Sequence, residues 1–386
     1  MARNALPFST LPYIFFILLF PGTIIYYVAI TNGAFPPLSS GYFGIVSAGS
    51  LALLAPIYAW NTIKHGKINS AELLYLCFLL FFSSVVLINR SSSNDSDTFT
   101  WHMISIAQSL SVFLICKGAA RTESRPGMVL IASWALVSAC MMYFTVGGRF
   151  SLREMSDQGQ IPSYQTFALC YFLLSFMMIS GIKHIGLRTV VNLVAITCLY
   201  INGARSEFVG YIIFSSFFEF LISKNKGIPL ISAIIFLTSA TIVASSGIIE
   251  LPESRITNLI DLQNDNSSNE RDRIASEGLN KILNSPILGD YGNYEKGEYI
   301  HNILSAWLDL GIAGIILLII TLAIPTSNLI LSISVGPRQN QETLAVFSML
   351  ISSILLLLVG KYFTYLMIPA AIGFYSSTSI LAKAKS

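Results

Sequence analysis

A histidine closes the long polar stretch of this chain. Residues 248–300 are predominantly hydrophilic, and His301, followed by Asn302, stands where the next apolar segment begins. An imidazole has an ordinary pKa of roughly 6.5, so near neutral pH it can take a proton from a hydroxyl group. His301 is therefore the candidate general base of the sequence. The alternative is a histidine held by an ordinary structural hydrogen bond.

Three arginines precede it in loops between apolar segments. Arg149 and Arg153 are four residues apart, so one helical turn would bring both guanidinium groups to one face. Arg205 lies in the short link 202–207. Guanidinium groups bind phosphate oxygens in a two-pronged geometry that lysine cannot match, and the three arginines together predict a site for a doubly charged, oxygen-rich anion. The alternative is that each arginine reaches lipid headgroups or pairs with a nearby carboxylate, such as Glu207 beside Arg205.

The rest of the chain is strongly apolar. Of its 386 residues, 54% are hydrophobic and 11% are charged, and the mean hydropathy is +0.67. Soluble domains carry about 25% charged residues, whereas an apolar segment of about 20 residues crosses a bilayer as a helix. We therefore predict an all-α polytopic membrane helix bundle of about twelve transmembrane helices, with about eleven as the alternative. The predicted spans are 11–30, 42–60, 71–89, 99–119, 127–146, 162–182, 187–203, 208–223, 228–247, 303–332, 343–362 and 363–382.

The distribution of basic residues places the polar stretch on the outer face. With the N-terminus in the cytoplasm, the short cytoplasmic segments hold most lysines and arginines, and the short outer loops hold only Arg90, Arg149, Arg153, Arg205 and Lys361. This bias follows the positive-inside rule. It predicts transmembrane helices over 1–247, a long periplasmic loop over 248–302 and further transmembrane helices over 303–386, with both termini in the cytoplasm.

Neither disulfides nor a metal centre are indicated. All five cysteines fall within predicted helices and none forms a Cys-x-x-Cys pair. No second histidine lies close to His301 in the sequence. We therefore expect chemistry that uses no metal and no other cofactor.

Four motifs resemble those of a known family. They are Arg271-Asp272-Arg273, the run 285–292 (Ser-Pro-Ile-Leu-Gly-Asp-Tyr-Gly), His301-Asn302, and the run 309–314 (Asp-Leu-Gly-Ile-Ala-Gly). Together with the predicted helix count and the single large loop, they resemble the signature region of the O-antigen polymerase and ligase superfamily (Wzy and WaaL). The link 202–206 is similar to the short Ser-Arg turn of that superfamily.

One loop favours polymerase over ligase. Arg149 and Arg153, with the following Gly159, resemble the arginine pair in a periplasmic loop of Wzy-type polymerases. The resemblance then implies a glycosyltransferase of lipopolysaccharide biosynthesis in the bacterial inner membrane. Its donor would be a glycan on undecaprenyl pyrophosphate. Its acceptor would be the non-reducing-end sugar of another lipid-linked repeat unit at the periplasmic face.

The resemblance also implies roles for single residues. His301 would be the catalytic base, and Arg149, Arg153 and Arg205 would bind the pyrophosphate in an inverting reaction without a metal. Further candidates for binding the substrate are Asn302, Arg271, Arg273, Tyr291, Tyr299 and Glu207. The implied partners are the lipid-linked oligosaccharide, the bilayer and a chain-length regulator protein, and no nucleic acid.

Two alternatives stay open at this point. A ligase of the same superfamily would move finished polysaccharide from undecaprenyl pyrophosphate onto lipid A core or onto a protein. A lipid or polysaccharide transporter or flippase would carry ionisable residues near mid-membrane and paired repeats. The interiors of the predicted spans are almost free of charge, which favours an enzyme.

Overall fold

The computed structural model describes residues 10–38, 41–66, 68–91, 96–119, 126–150, 152, 161–227, 266–294, 298–335 and 340–383. The regular elements of these ranges are helices, apart from one isolated β-bridge between Val146 and Arg149. The α-helices are α1 (Thr10–Thr31), α2 (Tyr42–His65), α3 (Ser70–Ile88), α4 (Ser96–Ala119), α5 (Met128–Tyr143), α6 (Tyr164–Gly181), α7 (Ile185–Asn202), α8 (Arg205–Ile222), α9 (Asn266–Asn284), α10 (Leu304–Val335), α11 (Gln341–Val359) and α12 (Met367–Lys383). The predicted all-α class is confirmed for this part of the chain.

Eight of the described helices are long and apolar enough to cross a membrane, namely α1, α2, α3, α4, α6, α7, α10 and α11. A membrane-spanning helix satisfies its own backbone polar groups, as hydrocarbon requires. The protein is thus a polytopic membrane protein. Helices α5 and α12 are shorter, α8 carries Arg205, Glu207 and Glu219, and the predicted span 228–247 lies outside the described residues. The count of about twelve spans therefore stays a prediction.

Helix α4 lies within the bundle and packs against α1, α2, α3 and α12. Small residues allow the closest approaches between helices. Gly373 of α12 faces the carbonyl oxygen of Phe113, which an added Cβ would approach to 2.6 Å. Gly210 of α8 faces Ser352 of α11, whose hydroxyl donates to the Gly210 carbonyl at 2.7 Å. Close packing of this kind holds membrane helices together, because lipid tails are as apolar as the side chains they would replace.

The polar stretch contains a helix, α9, that the hydropathy pattern does not predict. One face of α9 packs on α10, where Ile282 joins Ile300 and Leu308 in a small apolar cluster. On its exposed surface, Arg273 pairs with two glutamates of the same helix, each at 2.6 Å. Helical neighbours three and four residues apart support a helix in this way, even where its overall hydropathy is low.

The turn after α9 docks onto the start of α10, and two glycines make this contact possible. Gly311 interrupts α10 with φ 67° and ψ −172°, and a Cβ there would lie 2.2 Å from the carbonyl oxygen of Ile287. A Cβ added at Gly289, which has φ 78°, would lie 2.6 Å from the carbonyl oxygen of Leu308. Only glycine adopts such backbone conformations without strain. Because the turn is held against α10 at Gly289 and Gly311, the segment between these glycines, which contains His301, is fixed at both ends.

Candidate functional site

A cavity of about 700 Å³ opens at one end of the bundle. Its walls come from the starts of α2, α4, α6 and α8, from α9, from the segment before α10 and from the link between α11 and α12. The described part of the polar stretch borders this end. Small-molecule sites in proteins are typically concave, about 300–1,000 Å³ in volume, and lined by apolar and aromatic groups with a few placed polar ones. The cavity has these features.

His301 lines this cavity beside Tyr299, with 4.6 Å between the ring centroids. Burial lowers the pKa of His301 to about 4, and the positive charges of Arg271 and Lys361 act in the same direction. Both effects disfavour the charged imidazolium. The imidazole is therefore neutral at pH 7, which is the form that accepts a proton. A negative charge bound beside it would raise its pKa and strengthen it as a base.

Arg271 brings a cation to the same cavity from α9. No carboxylate among the described residues lies within ion-pair distance of it, although its charge reaches both Tyr299 and His301. Arg273, two residues further along the helix, is exposed and pairs with carboxylates, including Glu298 at 3.2 Å. Of these two predicted substrate-binding arginines, only Arg271 lines the cavity.

A buried ion pair forms another part of the wall. The ammonium group of Lys361, in the link between α11 and α12, lies 2.5 Å from Oε1 of Glu207 in the first turn of α8. The Lys361 side chain is 9% exposed and the Glu207 side chain 1%. Glu207 was a predicted substrate-binding residue, and it does line the cavity. Burying two charges is costly unless they are well paired, so this pair holds the two loops together.

Aromatic rings cover one side of the cavity. Tyr299 lies 5.4 Å from Trp101 and 4.8 Å from Tyr362, measured between ring centroids, and Trp101 lies 5.1 Å from Tyr362. All three rings line the cavity. Tyrosine and tryptophan combine an apolar face with a polar edge, which suits them to a ligand with both apolar and hydroxyl surfaces. Tyr299 stays a candidate substrate-binding residue.

A buried hydrogen-bond network lies behind this wall. His102 has no exposed surface, and its Nδ1 and Nε2 each lie 2.8 Å from a tyrosine hydroxyl, those of Tyr291 and Tyr362. Tyr362 and Tyr294 both donate to the carboxylate of Asp309. Since Tyr362 gives its hydrogen to Asp309, Nε2–H of His102 donates to Tyr362 and Nδ1 accepts from Tyr291. The network ties the polar stretch to α4, α10 and the α11–α12 link.

Two predicted substrate-binding residues are engaged elsewhere. Tyr291 does not line the cavity, because its hydroxyl is turned to His102, and burial raises the pKa of that hydroxyl. Asn302 caps the start of α10: its side-chain oxygen accepts from the backbone N–H of Leu304 at 2.9 Å. These hydrogen bonds give Tyr291 and Asn302 a structural role. Their role in binding substrate stays a prediction.

Two of the three predicted pyrophosphate arginines, Arg149 and Arg205, fall within the described residues, and neither lines the cavity. Arg149 is not in a helical turn, because Gly147 and Gly148 have positive φ angles and the bridge between Val146 and Arg149 closes a tight turn. The N–H of Phe150 donates to the carbonyl of Ile201 at 2.9 Å, which brings this turn to the link before α8.

Arg205 begins α8, and the two residues that follow it, Ser206 and Glu207, line the cavity. Neither Arg149 nor Arg205 is a lining residue. Arg153 lies outside the described residues. The role of these three arginines in binding pyrophosphate stays a prediction.

Three of the wall residues described above, Lys361, Trp101 and Tyr362, were not among the predicted site residues. The sequence contains a signal for Lys361, because a lysine on the outer side runs against the positive-inside rule. Trp101 and Tyr362 carry no comparable signal, since aromatic residues are common where membrane helices end. Their place in the wall depends on how α4 and the α11–α12 link pack against the polar stretch, and the sequence contains no local signal for that packing.

No protein-family model matches this chain, and no curated protein matches it either. Within the described ranges, no group of three or more histidine, cysteine, aspartate or glutamate side chains is arranged to hold a metal ion.

Proposed function

We propose that the protein is an O-antigen polymerase, a membrane glycosyltransferase that joins lipid-linked repeat units at the periplasmic face. The observation that carries the proposal is the meeting of a neutral imidazole, His301, with the cation Arg271 and an aromatic wall in one cavity. Transfer of a glycan from a pyrophosphate carrier needs a base, an anion site and a sugar-binding surface. This cavity has a candidate for each.

His301 takes the proton in this mechanism. The acceptor hydroxyl oxygen attacks the anomeric carbon of the donor, its proton passes to the imidazole, and the bond between that carbon and the pyrophosphate oxygen breaks. A single displacement of this kind inverts the anomeric centre. General-base catalysis contributes typically 10²–10⁴-fold to the rate.

Arg271 stabilises the pyrophosphate as it leaves. Negative charge develops on the leaving oxygen, and a cation fixed beforehand at a water-poor boundary stabilises that charge most effectively. Arg271 brings a cation to this site, because it lines the cavity and has no carboxylate partner in the described part of the chain. The diphosphate would in turn raise the pKa of His301 and make it a stronger base during the reaction. Arg149, Arg153 and Arg205 stay candidates for further contacts with the pyrophosphate.

Reconstitution tests the proposal directly. The purified protein in liposomes, supplied with lipid-linked repeat units, is expected to produce a ladder of lipid-linked polymers. His301→Ala should abolish the ladder, whereas His184→Asn, a change at the cap of α7 at the opposite end of the bundle, should not. The reaction should be run with and without a chelator, because the proposed mechanism uses no metal ion and predicts the same ladder in both.

Two outcomes of the same assay would favour the alternatives. A ligase would leave the repeat units unpolymerised and would transfer glycan only when lipid A core or a protein acceptor is added. A flippase would move labelled lipid between leaflets and form no new glycosidic bond.

The proposed orientation has its own test. An impermeant thiol reagent should label Glu298→Cys in spheroplasts, because Glu298 lies on the part of the polar stretch that borders the cavity. Labelling only after the membrane is opened would place the cavity on the cytoplasmic side and remove the proposed reaction.

A further inference from the structure

The turn after α9 exposes apolar side chains that its packing on α10 leaves uncovered. Ile287 and Leu288 are 71% and 85% exposed, and Leu283, in the last turn of α9, is 68% exposed. Exposed apolar residues that are scattered singly are ordinary, but these three fall within the run 283–288. Leu283, Ile287 and Leu288 are called the apolar tip below.

The helix that leads to the apolar tip is apolar over a wider sector than α10 covers. Ile274, Gly278 and Ile282 follow one another at four-residue spacing and are buried. Leu279 and Leu283, also four residues apart, adjoin this buried face and are exposed. The charged side chains of α9 occupy the rest of its exposed surface. A helix with separate apolar and polar faces is typical of the boundary between lipid and water.

The position of the apolar tip along α10 corresponds to the edge of the hydrocarbon layer. The backbone N–H of Ile312 lies 3.2 Å and 3.3 Å from the carbonyl oxygens of Pro286 and Ile287. Asp309 is the last charged residue of α10. The uncharged run that follows, from 312 to 331, has the length of about 20 residues that crosses the hydrocarbon core. The apolar tip therefore lies where this run begins.

The apolar tip is also continuous with the surface of α10 that faces lipid. Ile312, which lies beside the tip, is exposed, and the spacing of the next exposed isoleucines places them on the same face of the helix: Ile316, Ile319 and Ile320. In addition, the indole N–H of Trp307 donates to the carbonyl of Pro286 at 2.8 Å. Tryptophan is enriched where membrane helices meet the headgroups. The surroundings of the tip are thus those of a membrane boundary.

We propose that Leu283, Ile287 and Leu288 insert into the bilayer between the headgroups and the acyl chains, and so anchor the C-terminal end of α9 in the membrane surface. The occupant of this surface is phospholipid rather than a second protein, because its large side chains are leucine and isoleucine, whereas contacts between membrane helices favour small residues. The inference does not rest on the proposed function. Since α9 also carries Arg271 to the cavity, the bilayer would fix the depth of that cation.

Photocrosslinking to lipid tests this anchor. The full-length protein with Leu288→p-benzoylphenylalanine is reconstituted in liposomes of phosphatidylethanolamine and phosphatidylglycerol, and irradiation should add the mass of one phospholipid. The same substitution at Ile316, on the lipid-facing surface of α10, is the positive control. At Glu277, whose side chain is 50% exposed on the charged side of α9, it should give no lipid adduct.

A second variant measures insertion without a bulky photoprobe. Leu288→Trp keeps a large apolar side chain at the tip, and its fluorescence adds to that of the four native tryptophans. After subtraction of the wild-type signal, the added fluorescence should be quenched by phospholipids brominated along the acyl chain. The fluorescence added by Glu277→Trp should not be quenched.

The outcomes separate this inference from its rivals and from the proposed function. Lipid adducts at Leu288 that are no more frequent than at Glu277, while Ile316 gives them, would overturn the anchor. A cross-linked dimer in place of the lipid adduct would also overturn it, because the surface would then bind a second copy of the chain. If Leu288 gives lipid adducts but the protein forms no polymer from lipid-linked units, the polymerase proposal fails and the anchor stands.

Discussion

The hydroxyl of Tyr362 lies 2.8 Å from Nε2 of His102, a histidine with no exposed surface. The same hydroxyl donates to Asp309, while the ring of Tyr362 forms part of the cavity wall. Tyr362 is therefore the residue at which the buried network meets the cavity. Through it, the position of the aromatic wall depends on the hydrogen bonds to His102 of α4 and Asp309 of α10.

Tyr362→Phe should separate the network from the wall. The change keeps the ring but removes the hydroxyl, so Asp309 and His102 each lose a hydrogen-bond partner at a cost of about 1–3 kcal/mol. We expect a lower thermal unfolding midpoint for the purified protein and weaker polymerisation. Tyr143→Phe is the matched control, because Tyr143 is 81% exposed. Equal midpoints for Tyr362→Phe and the wild type would show that the network does not stabilise this end of the bundle.

Much of the fold could be predicted from composition and spacing, because each long apolar helix follows from a local property of the chain. Long apolar segments must be helical in lipid, and the start of α10 after His301 follows from the change in hydropathy. The network of His102, Asp309 and Tyr362 could not be predicted in the same way. Its members come from three distant segments, and their meeting depends on the rotation and packing of α4 and α10.

The two arginines of α9 illustrate the same limit at the site. Arg271 and Arg273 are two residues apart, so a helix turns them to well-separated directions, whereas an extended loop would place them on the same face. The hydropathy pattern predicts no helix there, and both arginines were therefore equal candidates. The helix distinguishes them, because Arg271 lines the cavity and Arg273 is held by glutamates.

Gly311→Ala should displace the segment that contains His301. Alanine at φ 67° and ψ −172° costs about 1–3 kcal/mol, because this backbone region is essentially restricted to glycine, and its Cβ would collide with the carbonyl oxygen of Ile287. We expect a lower yield of folded protein and loss of polymer. Gly49→Ala is the control, since the space around Gly49 is open and its φ is not positive. If Gly311→Ala were as stable and active as Gly49→Ala, the docking of the turn onto α10 would contribute neither to folding nor to the position of His301.

The pH dependence of the reaction should report the environment of His301. Because burial and the nearby cations lower the pKa of His301 to about 4, the imidazole stays neutral well below pH 6.5 and is protonated only as the pH approaches 4. The value of kcat/KM, which reflects the free enzyme, should therefore fall on the acid side near pH 4. Initial rates of polymer formation between pH 3.5 and 8 would measure it. An acid limb at or above pH 6.5 would contradict this assignment.

Arg271→Gln provides a second measurement on the same group. Arg271 contributes to lowering the pKa of His301, so removal of its charge should move the acid limb of kcat/KM upward. Arg273→Gln should leave the limb where it is, since Arg273 is exposed and faces glutamates. An upward shift of the acid limb distinguishes this electrostatic effect from a general loss of folding, which lowers activity at every pH without moving the limb.

The same pair of arginines tests the pyrophosphate site. Arg271→Lys keeps the charge but not the two-pronged geometry, so it should recover little of the activity lost in Arg271→Gln. The expected loss is about 10²-fold or more in kcat/KM, with weaker inhibition by inorganic pyrophosphate. Arg273→Lys and Arg273→Gln, made in the same helix two residues away, should change both values by less than about twofold, because exposed ion pairs contribute little. Full recovery by Arg271→Lys would show that a positive charge is sufficient. Equal losses of activity at Arg271 and Arg273 would show that both arginines stabilise α9 rather than bind pyrophosphate.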